Sequence, residues 1–214
     1  MAKKTSYTIT NEERAVLIGG LLGDEILSRR DGSYRYRVQH SDKQTEYVNW
    51  KRKKLSNLCK NTQPPQKRPK KNTPHSVVEF YTDSGVYLKE IHELLYRKKN
   101  SRYRKTITPE VIDKLPVDPL VVAVWYLDDG SIRNDCYAGK IASQGFTKEE
   151  NELLRKFLKK FGIDCHVVKH TEASGQWYIT IPAHAFGNLV KVMEPIVREV
   201  PSMEYKLNEL RRTP

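Results

Sequence analysis

The sequence predicts an α+β chain made of two related halves, each ordered α-β-β-α-β-β-α. Three observations carry that prediction. Two apolar stretches with small residues, AVLIGGLLGDE (Ala15 to Glu25) and VVAVWYLDDGS (Val121 to Ser131), each end abruptly in acid. Laying one over the other pairs Asp24 with Asp129 at an offset of 105, and the same offset pairs Gln39 in RYRVQHSDKQ with Gln144 in GKIASQGFTK. Lys105 and Lys206 follow, 101 apart. Polar matches at nearly constant spacing mark an internal repeat.

The elements follow in order. Thr10 to Glu13 form a capping box that starts a helix running to about Asp24. Alternation then gives a strand with Arg35, Arg37 and Gln39 on one face and Tyr34, Tyr36 and Val38 on the other. A helix near Glu46–Leu58, strands around Ser76–Thr82 and a helix near Gly85–Tyr96 complete the first half. Residues Arg97 to Val117, basic and polar, read as the connection, so the halves are residues 1–96 and 118–214 with a linker at 97–117. Asp118 and Pro119 supply the N-cap and first-turn proline of the second acidic helix, which ends at the Asp129-Gly130 turn. Another capping box, Thr147 to Glu150, opens a helix whose Leu153, Leu154, Phe157, Leu158 and Phe161 keep a helical period. Strands near Cys165–Thr171 and Gln176–Pro182, then a helix over Ala183–Val197, close the chain.

Composition narrows the function. A net charge of +12 and a pI near 9.5 point to a polyanionic partner, most often nucleic acid, with a merely basic enzyme as the competing reading. No apolar run approaches the roughly 18 residues of a membrane span. The N-terminal MAKKTSYTITNEER has no apolar signal segment and carries acids early, against secretion and mitochondrial import. Cys59, Cys136 and Cys165 form no CxxC pair, against structural zinc and a disulfide framework. The expectation is an intracellular protein, of a bacterial cytoplasm or an organelle, with no membrane partner.

Glycines at 19, 20 and 23 suit close helix packing, but packing does not explain the aspartates. A carboxylate at a helix C-terminus meets the negative end of the macrodipole. Two at equivalent repeat positions need compensation, which a divalent cation supplies. With the two helices side by side about a pseudo-twofold axis, Asp24 and Asp129 converge. Paired carboxylates with Mg²⁺ between two scissile phosphates form a phosphodiesterase centre.

LIGGLLGDE and VAVWYLDDG resemble the two motifs of monomeric, double-motif LAGLIDADG homing endonucleases, and the resemblance runs from about Thr10 to Asn208. It implies that Asp24 and Asp129 bind Mg²⁺ (Mn²⁺ substituting), with the Gly23 and Asp128 carbonyls as secondary ligands. It implies that Gln39 and Gln144 position water or metal, and that Lys105 and Lys206 steady charge at the scissile phosphates. It further implies a monomer that cuts both strands of one long double-stranded DNA site, staggered across the minor groove with 3′ overhangs. Such proteins are encoded in introns or inteins; no flanking intein splicing sequence is apparent, which favours an intron. Two residues depart from the family pattern: Glu25 stands where glycine is usual and Asp128 where a small residue is usual. The offset to Asp24 selects Asp129 over Asp128.

On this reading four strands per half form a saddle of antiparallel sheets over the duplex. Arg35, Arg37 and Gln39 face bases in the major groove, although charged edge strands also discourage aggregation, and Arg30 is a further DNA-binding candidate. In the second half Lys140 and Gln144 share a strand face and Arg133 lies on the preceding strand. PPQKRPKKNTP, with Lys67, Arg68, Lys70 and Lys71, is either a loop gripping phosphates or a solvated connection. The run Lys51-Arg52-Lys53-Lys54 falls on a predicted helix and admits an ordinary solvated face. An RNA maturase on the same fold, acting on its own intron RNA with or without DNA cleavage, is the alternative. A non-cleaving DNA-binding regulator would be expected to have lost an acid.

Overall fold

A computed structural model describes residues 7–70, 73–133, 136–171 and 173–207. The first half runs α1 (Asn11–Leu22), β1 (Ile26–Arg30), β2 (Ser33–Ser41), α2 (Thr45–Lys54), β3 (Gln66–Pro69), β4 (Ser76–Tyr81) and α3 (Lys89–Leu95). A hairpin, β5 (Tyr96–Lys99) and β6 (Arg102–Lys105), and a short helix, α4 (Pro109–Lys114), follow. The second half runs α5 (Pro119–Asp129), β7 (Gly130–Ile132), β8 (Gly139–Ile141), α6 (Lys148–Lys159), β9 (His166–Lys169), β10 (Trp177–Ile181) and α7 (Ala183–Glu199). The order α-β-β-α-β-β-α therefore occurs twice.

Local sequence sets the helix starts. The Thr10 hydroxyl accepts the Glu13 N–H at 3.2 Å while the Glu13 carboxylate accepts the Thr10 N–H at 2.8 Å. Thr147 and Glu150 repeat the arrangement at 3.2 and 2.7 Å. Asp118 accepts the Leu120 N–H at 2.9 Å ahead of Pro119. Each device satisfies backbone donors that the first helical turn leaves unpaired.

Helices α1 and α5 pack against each other at the centre, and α5 is buried on all sides from Val121 to Asp128. Their closeness requires glycine. A methyl at Gly19 would stand 2.7 Å from the Val121 carbonyl oxygen, and one at Gly23 would stand 2.7 Å from Asp128 Cβ. Both halves contribute to one continuous hydrophobic core. No helix among the described residues is long and apolar enough to cross a membrane.

The two four-stranded antiparallel sheets have the same order, β1-β2-β4-β3 and β7-β8-β10-β9. In β2, Tyr34, Tyr36 and Val38 are buried while Arg35 is exposed and Arg37 and Gln39 are half-buried, as alternation requires. Helix α2 covers the inner face of β2 and β4, and α6 covers β9 and β10.

Several local expectations change. Helix α1 stops at Leu22, so Asp24 lies just beyond it. Part of the basic stretch 64–74 is neither loop nor connection but edge strand β3. Segment 97–117 is itself folded, holding most of the β5–β6 hairpin and α4. Asn100 and Ser101, with φ of 48° and 65°, make its tight turn. Gln144 does not share a strand with Lys140, because β8 ends at Ile141 and Gln144 sits in the turn beyond. Arg133 falls just after β7, where its N–H still donates to the Ala138 carbonyl at 2.9 Å.

Candidate active site

The paired helices bring their acidic ends together, and the first strand of each sheet follows directly from them. Asp24 is exposed just past α1, and Asp129, the last residue of α5, is half-buried. Burial, then the negative charges of Asp24 and Asp128, push the Asp129 carboxyl up to about 8, against the opposing pull of Lys105. Lys105, delivered by β6, donates to the Gly23 carbonyl at 2.6 Å. Lys206, in the turn after α7, donates to the Gly130 carbonyl. Each lysine is thus tied to the peptide beside one aspartate. Burial lowers both ammoniums below the ordinary lysine range, and Asp24 and Asp129 oppose that shift in each. Asp24, Asp129, Lys105, Lys206, Gly23 and Asp128 therefore form one group.

The remaining predicted residues sit apart from it or at its rim. Gln39 donates to Glu79 on the neighbouring strand at 2.9 Å and lines a cleft of about 280 Å³ with Asp24, Arg37 and Lys70. Arg35 is held over the Tyr81 ring, 4.2 Å from its centroid, and donates to the Thr82 carbonyl at 3.3 Å. Arg68 pairs with Glu79 at 2.8 Å. Strand register places Lys67 on the opposite face from Arg68, and Lys67 pairs with Asp42 at 2.9 Å. Arg30 is exposed beside Asp31, and Lys140 is exposed on β8. Lys71 lies outside the described residues.

Sequence reasoning missed the group behind the aspartates. Lys51 belongs to no solvated face: it is 0% exposed. Its ammonium donates to Glu25 Oε1 and, at 2.7 Å, to Asp128 Oδ1. His40 Nε2 lies 3.0 Å from Glu25 Oε1 and 3.2 Å from Lys51 Nζ. The Tyr47 hydroxyl donates to Asp128 Oδ1 at 2.9 Å. Burial works against the Lys51 charge, but Asp128 and Glu25 outweigh it and hold the ammonium above its usual range. Burial and the Lys51 charge push His40 down to about 4, and burial with the Glu25 charge pushes Asp128 up to about 7. The signal was in the sequence: Tyr47, Val48, Lys51 and Leu55 recur at helical spacing, so Lys51 falls on the buried stripe. Glu79 and Tyr81 were also missed, and pairing of β2 with β4 sets them opposite Gln39 and Arg37.

The donors at the helix ends fit a hard divalent cation. Two carboxylates converge from different helices, beside backbone carbonyl oxygens, which is the ligand chemistry of Mg²⁺ and Mn²⁺. The raised Asp129 carboxyl reports burial first and then the negative charge of Asp24 and Asp128, which Lys105 only partly offsets.

The chain is similar to known proteins in sequence and in fold. Residues 14–189 match the pattern of the LAGLIDADG DNA endonuclease family. A protein named RecA from Mycolicibacterium chitae is 27% identical over 216 residues, 94% of this chain and 47% of that protein. The chain thus spans about half the length of the first curated relatives it matches. A "Probable intron-encoded DNA endonuclease 3" of Mycosarcoma maydis is 30% identical over 129 residues, 60% of this chain and 90% of that protein. The homing endonuclease I-WcaI bound to its DNA recognition sequence shares the fold, with a TM-score of 0.80 at 21% identity over 96% of this chain and 89% of that one.

Proposed function

The chain belongs to the LAGLIDADG DNA endonuclease family, and on that premise we propose that it is a site-specific homing endonuclease. It hydrolyses both strands of a long double-stranded DNA target with Mg²⁺, which Mn²⁺ replaces, and it acts as a monomer. The observation that carries the reading is the meeting of Asp24 and Asp129, one from each motif, with Lys105 and Lys206 tied to the adjoining peptides. The two sheets have equal strand order, each with its first strand following one of the aspartates, and the net charge of +12 suits a polyphosphate partner. Intron encoding is the reading favoured by the relative from Mycosarcoma maydis.

In this proposal Asp24 and Asp129 hold the divalent ion at the shared helix ends. When bound, the ion activates water and stabilises the attacking and leaving oxygens. Lys105 Nζ and Lys206 Nζ, fixed on the Gly23 and Gly130 carbonyls, hold positive charge where the phosphates become more negative. Gln39, braced by Glu79 in the cleft it shares with Asp24, orients water at the edge of the site. Arg35 and Arg37 lie on the exposed face of the first sheet, from which arginine reads guanine.

The test is incubation of the chain with duplex DNA spanning the intron-less insertion site of its host gene. A linear product that appears in Mg²⁺ and disappears in EDTA is expected. Undiminished cutting in EDTA contradicts the mechanism.

A further inference from the structure

The repeat offset of 105 that pairs Asp24 with Asp129 also pairs Gly23 with Asp128 and Glu25 with Gly130. The two motifs therefore read Gly-Asp-Glu and Asp-Asp-Gly, and each half carries one additional acid where the other has glycine. Glu25 and Asp128 are 1% and 9% exposed, and their second carboxylate oxygens are buried with no hydrogen-bond partner among the described residues. Both turn inward to the same point. The ligand atoms of Glu25, His40 and Asp128 lie within 4.8 Å of one another, a spacing that suits a metal ion. That point already holds a cation, since Lys51 Nζ bonds both carboxylates and lies 3.2 Å from His40 Nε2. The arrangement also crosses the repeat. Asp128 belongs to the second half, whereas Lys51, Tyr47 and Glu25 belong to the first.

We propose that Lys51 is a positioning residue whose ammonium serves as a resident cation for Glu25 and Asp128. It keeps these two acids from competing for the divalent ion and leaves Asp24 and Asp129 as the pair that meets it. Two departures from the family pattern thus compensate each other through a third residue. A neutral side chain at position 51 frees two buried carboxylates and an imidazole. Carboxylate oxygen and imidazole nitrogen together suit a transition-metal ion such as Mn²⁺. The inference rests on the reading that Asp24 and Asp129 hold the catalytic ion.

The experiment counts Mn²⁺ ions bound to the DNA-free chain, following the electron paramagnetic resonance of the free ion during titration. Lys51→Met is expected to bind one more Mn²⁺ than the wild-type chain. That gain should persist in Lys51→Met/Asp24→Asn, relative to Asp24→Asn alone, and vanish in Glu25→Gln/Lys51→Met. In cleavage assays the Mn²⁺ concentration for half-maximal rate should rise at least about tenfold in Lys51→Met, the usual scale for losing a group that orients metal ligands. An unchanged ion count with an unchanged metal requirement overturns the proposal. Should Lys51→Met not fold, Glu25→Gln/Lys51→Met removes one charge of each sign. Restored folding with the wild-type ion count supports charge compensation, and failure to fold, or an added ion, overturns it. The underlying reading fails separately, if the wild-type chain shows no Mn²⁺ site sensitive to Asp24→Asn.

Discussion

The two halves share the order of their seven elements and the order of their sheet strands, yet they differ in two places. At the helix ends, the first half supplies an exposed Asp24 and the second a half-buried Asp129. The buried Lys51 cluster adds to this asymmetry, because His40, Tyr47 and Lys51 all come from the first half. On the sheets, the outward face of the first is braced in advance. Arg35 is stacked on Tyr81, and Glu79 holds both Gln39 and Arg68. The second sheet turns out Ser131, Lys140 and Thr180 from shorter strands and has no arginine within them. The halves thus share element and strand order while differing in the burial of their aspartates and in the side chains their sheets turn outward.

The largest effect expected from testing this comparison lies at the lysines. Lys105→Ala and Lys206→Ala should each slow cleavage about 10²–10³-fold, the scale for losing a fixed charge-stabilising group. Single-turnover nicking of a supercoiled target plasmid, scored strand by strand, should show opposite strands retained by the two variants. Equal slowing of both strands by either variant would mean that the lysines do not serve separate halves.

A smaller difference separates the sheets. Arg35→Ala should lose about 1–3 kcal/mol of discrimination at one base pair under the first half. Lys140→Ala should weaken binding to all sequences alike and reduce the salt slope by about 1. Competition binding against single-base-pair variants at several salt concentrations measures both. If Arg35→Ala behaves like Lys140→Ala, the first sheet grips DNA without reading it.

The smallest effect is on stability. Burial and Asp24 raise the Asp129 carboxyl to about 8, and burial and Glu25 raise Asp128 to about 7. Between the ordinary carboxylate range and these values the folded, metal-free chain holds protons that the unfolded chain has released. Stability is therefore greatest below that window and falls as pH rises through it, by at most about 1.4 kcal/mol per pH unit for each carboxyl. Denaturant unfolding in EDTA from pH 6.5 to 8.5, above the range in which the depressed His40 adds stability as pH rises, should show the decline, with a shallower slope in Asp129→Asn. A stability that rises over this range contradicts the charge balance described for the site.

Much of this was legible in the sequence because capping is a local signal and repetition shows as a constant offset. Thr10, Thr147 and Asp118 announced helix starts through their own backbone bonds, and the offset of 105 picked out Asp24 and Asp129. Strand β3 was hidden because its four residues are all exposed and carry no alternation, leaving only pairing with β4 to define it. The Gln39–Glu79 bond joins residues 40 apart, and no spacing rule reaches across strands whose register is unknown. Lys51 was obscured by its neighbours. Within a run of four cations only helical phase separates the buried lysine from the exposed Lys53, and its partners Glu25 and Asp128 lie 26 and 77 residues away.

On the proposed mechanism one aspartate from each half completes a single metal-dependent centre. Cleavage of the target duplex by the wild-type chain, Asp24→Asn and Asp129→Asn, in Mg²⁺ and in EDTA, with DNA binding measured in parallel, tests it most directly. Double-strand cutting by the wild-type chain in Mg²⁺ alone, with both variants binding but not making the double-strand break, is the expected result. Full cleavage by either variant, or by the wild-type chain in EDTA, would contradict the account.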